Sequence, residues 1–246
     1  MSTEQIVLVV GASRGIGLSL VEQLAARPDT TAIGTARGSC PALEAINPKI
    51  KILTLDLLDE ESIQKAASAI PELDTLIVNG AVGARDPVTI TSTEKLSEYL
   101  NANVLGPHRV IRAFLPALRA RKTRRIVGIS SAGGSLVRQA HPAAVGLMGC
   151  YSTSKAAFNM MLVQFHNELQ KEEEEEEPRW TVVALHPGFV ATDMGKNPHL
   201  LKLAETAGMV GMPPAESAKG ILKVVDGLDY TKSASFLDWK GDVVPW

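Results

Sequence analysis

Short, nearly continuous apolar runs alternate with longer amphipathic stretches along this 246-residue chain. Ile6–Val10, Thr31–Ala36, Lys51–Leu55, Asp74–Val78, Arg125–Ile129, Thr181–Leu185 and Ser235–Leu237 each read as a strand. Runs of this kind, bounded by turn residues, suit strands buried on both faces. Between them the helical period predicts helices over Leu18–Ala26, residues 59–70, Ser92–Ala120, the stretch from Gly149 onward, and Pro214–Leu228. The helix after Gly149 carries Phe158, Met160, Met161, Leu162 and Phe165, apolar over more than one face, as in a helix that is deeply buried or packed on another subunit. Alternation at this pace predicts an α/β fold: a three-layer, doubly wound parallel sheet, Rossmann-like, of about seven strands in a single domain over 1–246. Its ligand crevice is expected beyond the carboxyl ends of the strands.

Two stretches stand outside that rhythm. Lys171–Pro178 is a run of glutamates, expected to be a solvated linker with no chemistry. Residues 189–213, rich in Leu, Met and Gly, have the composition of a substrate-covering flap, although a surface helix with core contacts fits them nearly as well.

The bulk properties narrow the partners. Apolar residues make up 45% of the chain, and 25 basic against 27 acidic side chains leave a net charge of −2 with no basic block, which argues against nucleic acid. Two cysteines, Cys40 and Cys150, are too few for a disulfide framework. No membrane span, targeting segment or metal motif is apparent, so a cytoplasmic protein acting on a small molecule is expected.

Five places carry candidate chemistry. Gly11, Gly15 and Gly17 lie between the first strand and the first helix. Glycines there permit a tight turn, close approach of backbone to a pyrophosphate, and helix N–H groups aimed at the anion. After the second strand, where an acid would favour NAD, stand Ala36 and Arg37, with Arg14 available from the glycine turn. Two guanidiniums suit a 2′-phosphate and favour NADP(H). Tyr151 and Lys155, four residues apart, share one face of their helix. A free tyrosine has a pKa of about 10, and bringing it to about 7 takes about 4 kcal/mol. One ammonium about 4 Å away supplies about that much at an effective dielectric of about 20. The spacing thus predicts a phenol made into a working acid/base by its lysine. Asn103, mid-helix and followed by Pro107, marks a kinked polar point that is either functional or a tolerated surface residue, and Ser130 and Ser131 lie at a strand's carboxyl end.

Taken in order, V-G-A-S-R-G-I-G, Asp56, N-G-A at Asn79–Ala81, Asn103, the paired serines, Y-S-T-S-K and P-G-F-V-A-T resemble the short-chain dehydrogenase/reductase family across nearly the whole chain. Within it the chain resembles NADP-dependent carbonyl reductases of the sniffer or C-factor type and fungal ketoreductases. The resemblance implies Tyr151 as general acid in reduction and Lys155 as the group that tunes it and holds the nicotinamide ribose. It implies Ser131 as the residue that binds the substrate oxygen, with Ser130 the alternative, and Asn103 as the holder of a water linking Lys155 to solvent. Cofactor contacts are implied for Gly11, Gly15 and Gly17 at the pyrophosphate, with Ser13 and Ile16 beside them, and for Asp56 at the adenine, with Leu57 beside it and Arg14 and Arg37 at the adenosine ribose. Asn79 would meet the adjacent ribose region and Thr192 with Val190 the carboxamide, while Gly80, Ala81, Pro187 and Gly188 complete the cofactor contacts.

Two features depart from the family pattern. Ser131 precedes Tyr151 by 20 positions, a longer gap than usual, and Val10 stands where a threonine is usual, which should loosen a local turn contact. The implied activity is NADPH-dependent reduction of an apolar ketone or aldehyde. Oxidation of a secondary alcohol, or a catalytically idle NADP-binding regulator, are the alternatives. A homodimer or homotetramer is expected from the apolar helices.

Overall fold

A computed structural model describes residues 4–47, 50–84, 86–142, 148–172, 179–192 and 211–246. Seven strands form one parallel sheet: β1 (Gln5–Val10), β2 (Thr30–Ala36), β3 (Lys51–Thr54), β4 (Thr75–Val78), β5 (Arg125–Ile129), β6 (Thr181–His186) and β7 (Phe236–Asp238). Their order is β3-β2-β1-β4-β5-β6-β7, so the direction of winding reverses between β1 and β4. A crevice opens at that switch point, beyond the strands' carboxyl ends.

The continuous apolar runs follow from burial on both sides. In β1, Leu8 and Val10 face one core with Phe114 and Phe158, while Val7 and Val9 face the other with Leu20 and Ile221. The first core is closed by α3 (Glu60–Ser68), α5 (Gly106–Arg119) and α7 (Gly149–Leu169). The second is closed by α1 (Gly15–Ala25), the single turn α2 (Pro41–Glu44) and α8 (Pro214–Asp226). α4 (Thr93–Leu100) precedes α5, and the four-residue α6 (Leu136–Gln139) follows β5. Side-chain caps sit where polar residues precede the helices: Asp59 accepts from the Glu61 N–H and Ser92 from that of Lys95.

The helix predicted over Ser92–Ala120 is interrupted by one π turn, Asn101–Leu105. Pro107 has no N–H to offer the carbonyl of Asn103, four residues before it, and the backbone widens there. α7 lies unusually close to β5: a Cβ on Gly128 would come within 2.5 Å of Leu162 and 2.6 Å of Phe158. Its buried face is one stripe including Lys155, Phe158, Leu162 and Phe165, whereas Met160 on the far side is 59% exposed. α2 and α6 were not foreseen in the pattern, being too short for a helical period to show.

Of the predicted flap, residues 193–210 lie outside the described residues, as do 173–178 of the glutamate run. The flap's two ends are joined, with Met212 donating to the Phe189 carbonyl and accepting from the Ala191 N–H, both at 2.9 Å. Among the described residues no helix is long and apolar enough to cross a membrane, and no group of three or more His, Cys, Asp or Glu is placed to hold a metal ion.

At the amino edge of the sheet, Asp74 is 2% exposed and accepts hydrogen bonds from the Ile6 N–H, Thr123 and Arg121. Replacing it leaves three donors without an acceptor. Asp74→Ala is expected to lower the unfolding free energy by about 3 kcal/mol, measured by urea denaturation, without changing ligand affinity at the opposite edge.

Candidate active site

The glycine turn is built by close approach. Gly11 (φ +82°) presses on the loop after β4, where a Cβ would stand 2.6 Å from the Gly80 Cα, and Gly15 also has positive φ, +57°. A Cβ on Gly17 would collide with the Gly11 carbonyl, so only glycine lets α1 come this near. Next to Val10, the Gly11 N–H donates to Thr35 Oγ1 at 3.0 Å and the Ala12 N–H to the Thr35 carbonyl at 2.9 Å, so β2 steadies the turn from the side. Asn79 Nδ2 closes the turn from the other side, on the Gly11 carbonyl at 2.8 Å.

This turn forms one end of a cavity of about 400 Å³. α1 has neither a side-chain cap nor an acid in its first turn, and Gly15 and Ile16 line the cavity. The site can therefore receive an anion at the helix N-terminus. Ser13, Arg14 and Arg37 border the same end, with Asp56 and Leu57 from the end of β3 and Asn79, Gly80 and Ala81 from the end of β4. The Asp56 carboxylate accepts from the Leu58 N–H at 3.0 Å. Pro187, Gly188, Val190 and Thr192 line the cavity as well, Thr192 beside the glycine turn, its Cγ2 3.1 Å from where a Cβ on Gly15 would stand. Of the residues named from sequence, Gly17 and Asn103 do not line the cavity; both act from behind its wall.

Tyr151, Lys155 and Ser131 meet at the far end. The Tyr151 hydroxyl is hydrogen-bonded to Ser131, whose Oγ also accepts from the Gly133 N–H at 3.1 Å. Ser130 is engaged elsewhere: its hydroxyl donates to Asn159 Oδ1 at 2.5 Å. Geometry therefore favours Ser131. Lys155 Nζ donates to the Ile129 carbonyl at 2.8 Å and lies 5.8 Å from the centre of the Tyr151 ring.

The electrostatics reverse the expectation from spacing. Burial pushes the Tyr151 phenol up to about 12, opposed only by the Ser131 hydrogen bond, and burial pushes the Lys155 amine down to about 7. The lysine is desolvated along with the phenol and is half neutral near pH 7, so it does not supply the full charge assumed for an exposed pair. An anion entering the cavity would raise its proton affinity again.

Asn103 is 1% exposed, which excludes the surface reading. Its Oδ1 accepts from the Val82 N–H at 2.9 Å, and its two amide hydrogens go to the Val82 carbonyl at 2.8 Å and Ser154 Oγ at 2.9 Å. Ser154 in turn donates to the Tyr151 carbonyl at 2.7 Å. The side chain thus ties the loop after β4 to the turn that carries Tyr151 and has no hydrogen left for water. Any water at Asn103 would sit on its main-chain carbonyl, which has no α-helical donor because Pro107 lacks an N–H.

Several contributors escaped the sequence reading. Tyr99 donates to the Asp86 carboxylate at 2.6 Å, and the Asp86 carbonyl accepts from the Cys150 N–H at 3.2 Å, closing the first turn of α7. His186 borders the cavity with its Nδ1 buried and without a partner among the described residues, and burial holds the imidazole down at about 4. A histidine at a strand's carboxyl end was the available signal for it. Thr35 and Asn159 sit in ordinary strand and helix contexts and gave none.

A nucleotide-type crevice at the switch point of a doubly wound sheet, with tyrosine, lysine and serine converging at one end, defines a dinucleotide-linked α/β enzyme class. Residues 5–200 match the model of the short chain dehydrogenase family, and the chain belongs to that family. It is 31% identical over 262 residues to an uncharacterised oxidoreductase of Schizosaccharomyces pombe, covering 100% of this chain and 99% of the relative. The NADPH-bound carbonyl reductase from chicken fatty liver superposes with a TM-score of 0.84 at 29% identity, over 99% of this chain and 100% of that one. Carbonyl reductase Sniffer of D. melanogaster shares the fold, with a TM-score of 0.83 at 24% identity over 99% and 100% of the two chains.

The depressed Lys155 carries a stability consequence. Its folded pKa of about 7 lies below the ordinary 10.5, so between those values the unfolded chain binds more protons and stability rises with pH. Lys155→Met removes this dependence. The stability of the wild type relative to Lys155→Met, from urea unfolding of the ligand-free proteins, is expected to increase from pH 7 to pH 9.

Proposed function

We propose that the protein reduces apolar ketones or aldehydes to alcohols with NADPH. The observation that carries this reading is the half-buried Tyr151 hydroxyl, hydrogen-bonded to Ser131 in a crevice that Lys155 and the glycine turn also line. A phenol held in its acid form is suited to giving a proton, which favours reduction over oxidation as the working direction.

The residues present fit the cofactor. The glycine turn and the open N-terminus of α1 suit the pyrophosphate, and no acid occupies the end of β2, where Arg37 and Arg14 border the cavity. These two guanidiniums support NADPH over NADH. The chicken fatty liver enzyme, whose structure holds NADPH, supports the same choice. Val82, Met148 and Phe189 border the far end, supporting an apolar substrate.

The chain's own part is positioning and proton transfer. Ser131 and Tyr151 hold the substrate oxygen, and Tyr151 releases its proton to it as the carbonyl becomes an alcohol. Bound NADPH supplies the hydride to the carbonyl carbon. Lys155, with an amine that exchanges protons near neutrality, returns one to Tyr151, and a water on the Asn103 carbonyl would connect it to solvent. Holding the carbonyl against Ser131 and Tyr151 adds the advantage of proximity and orientation.

Turnover is tested by following NADPH consumption with a panel of aromatic and aliphatic carbonyls. Tyr151→Phe is expected to lower kcat about 1,000-fold while NADPH still binds; retained turnover would refute the assignment. Arg37→Asp is expected to shift the NADPH-to-NADH ratio of kcat/KM about tenfold or more toward NADH, about 1.4 kcal/mol. An unchanged ratio would remove the arginine from cofactor choice.

A further inference from the structure

We propose that residues 243–246 form a strap that positions the Ser131 loop, making Ser135, Pro245 and Trp246 positioning residues for the reaction proposed above, on whose reading this inference rests. After β7 the chain reverses in a turn where the Asp238 carboxylate accepts from the N–H groups of Lys240 and Asp242. Gly241, at φ +95°, takes the left-handed position that the reversal needs. The chain then runs back antiparallel to β7, with Val243 bridging Leu237 and the Val244 N–H donating to the Phe236 carbonyl at 2.7 Å. Trp246 stacks on Phe236, ring centres 5.5 Å apart.

The end of this segment meets α6. Ser135 Oγ donates to the Pro245 carbonyl at 2.5 Å, and the Val137 N–H donates to the Trp246 carbonyl at 2.9 Å. Ser135 also caps α6 by accepting from the Arg138 N–H at 3.1 Å. α6 itself buries none of its residues, with Leu136 70% and Val137 61% exposed. A helix of one turn has no stability of its own, and with none of its residues buried it depends on its hydrogen bonds for anchorage. The two hydrogen bonds to the strap do.

α6 is continuous with the catalytic loop. The Ser131 carbonyl accepts from the Gly134 N–H at 2.8 Å and the Ala132 carbonyl from the Ser135 N–H at 3.2 Å. Gly134 has α7 on its other side, where a Cβ would stand 2.9 Å from the Lys155 carbonyl carbon. The Ser131 loop is therefore held between the lysine turn of α7 and the strap. Cutting the strap frees one of the two sides, and Ser131 loses register with Tyr151. Displacements near 1 Å can cost about 100-fold in rate.

The test compares the wild type with Trp246→Ala, Trp246→Phe and removal of Pro245 and Trp246. Removal is expected to lower kcat about 10- to 100-fold with the NADPH Kd changed less than twofold. The alkaline limb of the rate profile, set by Tyr151, should move to higher pH as the Ser131 hydrogen bond weakens. Trp246→Ala should fall between, and Trp246→Phe, which keeps the stack and both carbonyls, should restore most of kcat. An unchanged kcat and profile after removal would overturn the proposal. So would a parallel loss of NADPH binding and thermal stability, which would make the strap merely structural. If the wild type reduces no carbonyl, the functional reading fails, and hydrogen exchange still decides this one. Protection of the Gly134 and Val137 amides should fall on removal, and unchanged protection would overturn the strap.

Discussion

A lysine amine held against one backbone carbonyl inside an apolar wall is the constraint from which the site follows. Lys155 reaches Ile129 only because α7 lies almost on β5, and that distance is set by the missing side chain at Gly128 and by Gly134 beneath the lysine turn. Close packing leaves the lysine 3% exposed beside a half-buried phenol, and partial loss of water favours the neutral form of each. The pair stores a proton in the right place before any ligand arrives. Its final balance is left to the charge of whatever fills the crevice.

Around that pair, hydrogen bonds from loops locate α7 from several directions. Asn103 joins Val82 to the Ser154 turn, Asp86 closes the first turn through Cys150, and Asn159 draws in the end of β5 through Ser130. None of these groups needs to meet a substrate. Each limits how far Tyr151 can move, which matters because a general acid is useful only within hydrogen-bonding reach.

Much of this was legible along the chain. Strands buried on both faces write themselves as apolar runs, so all seven appeared near their observed limits, and the order of motifs brought Tyr151, Lys155 and Ser131 to one place. What stayed hidden depended on proximity between distant segments. The lysine's effect was estimated for an exposed pair, whereas burial of both partners reverses it. Thr35 supports Gly11 from 24 positions away, which no local spacing announces. Asn103 read as a kink because proline and a poor helix former are local signals. Its three hydrogen bonds are not.

The returning segment after β7 also bears on how molecules of this protein can meet. A parallel sheet ends in two rows of unpaired peptide groups, each a template for a strand from another chain. Here Val243 and Val244 already occupy the outer side of β7. A strand from a second copy therefore finds the outer hydrogen-bonding side of β7 itself already taken, and any pairing on that flank would have to meet the returning segment instead.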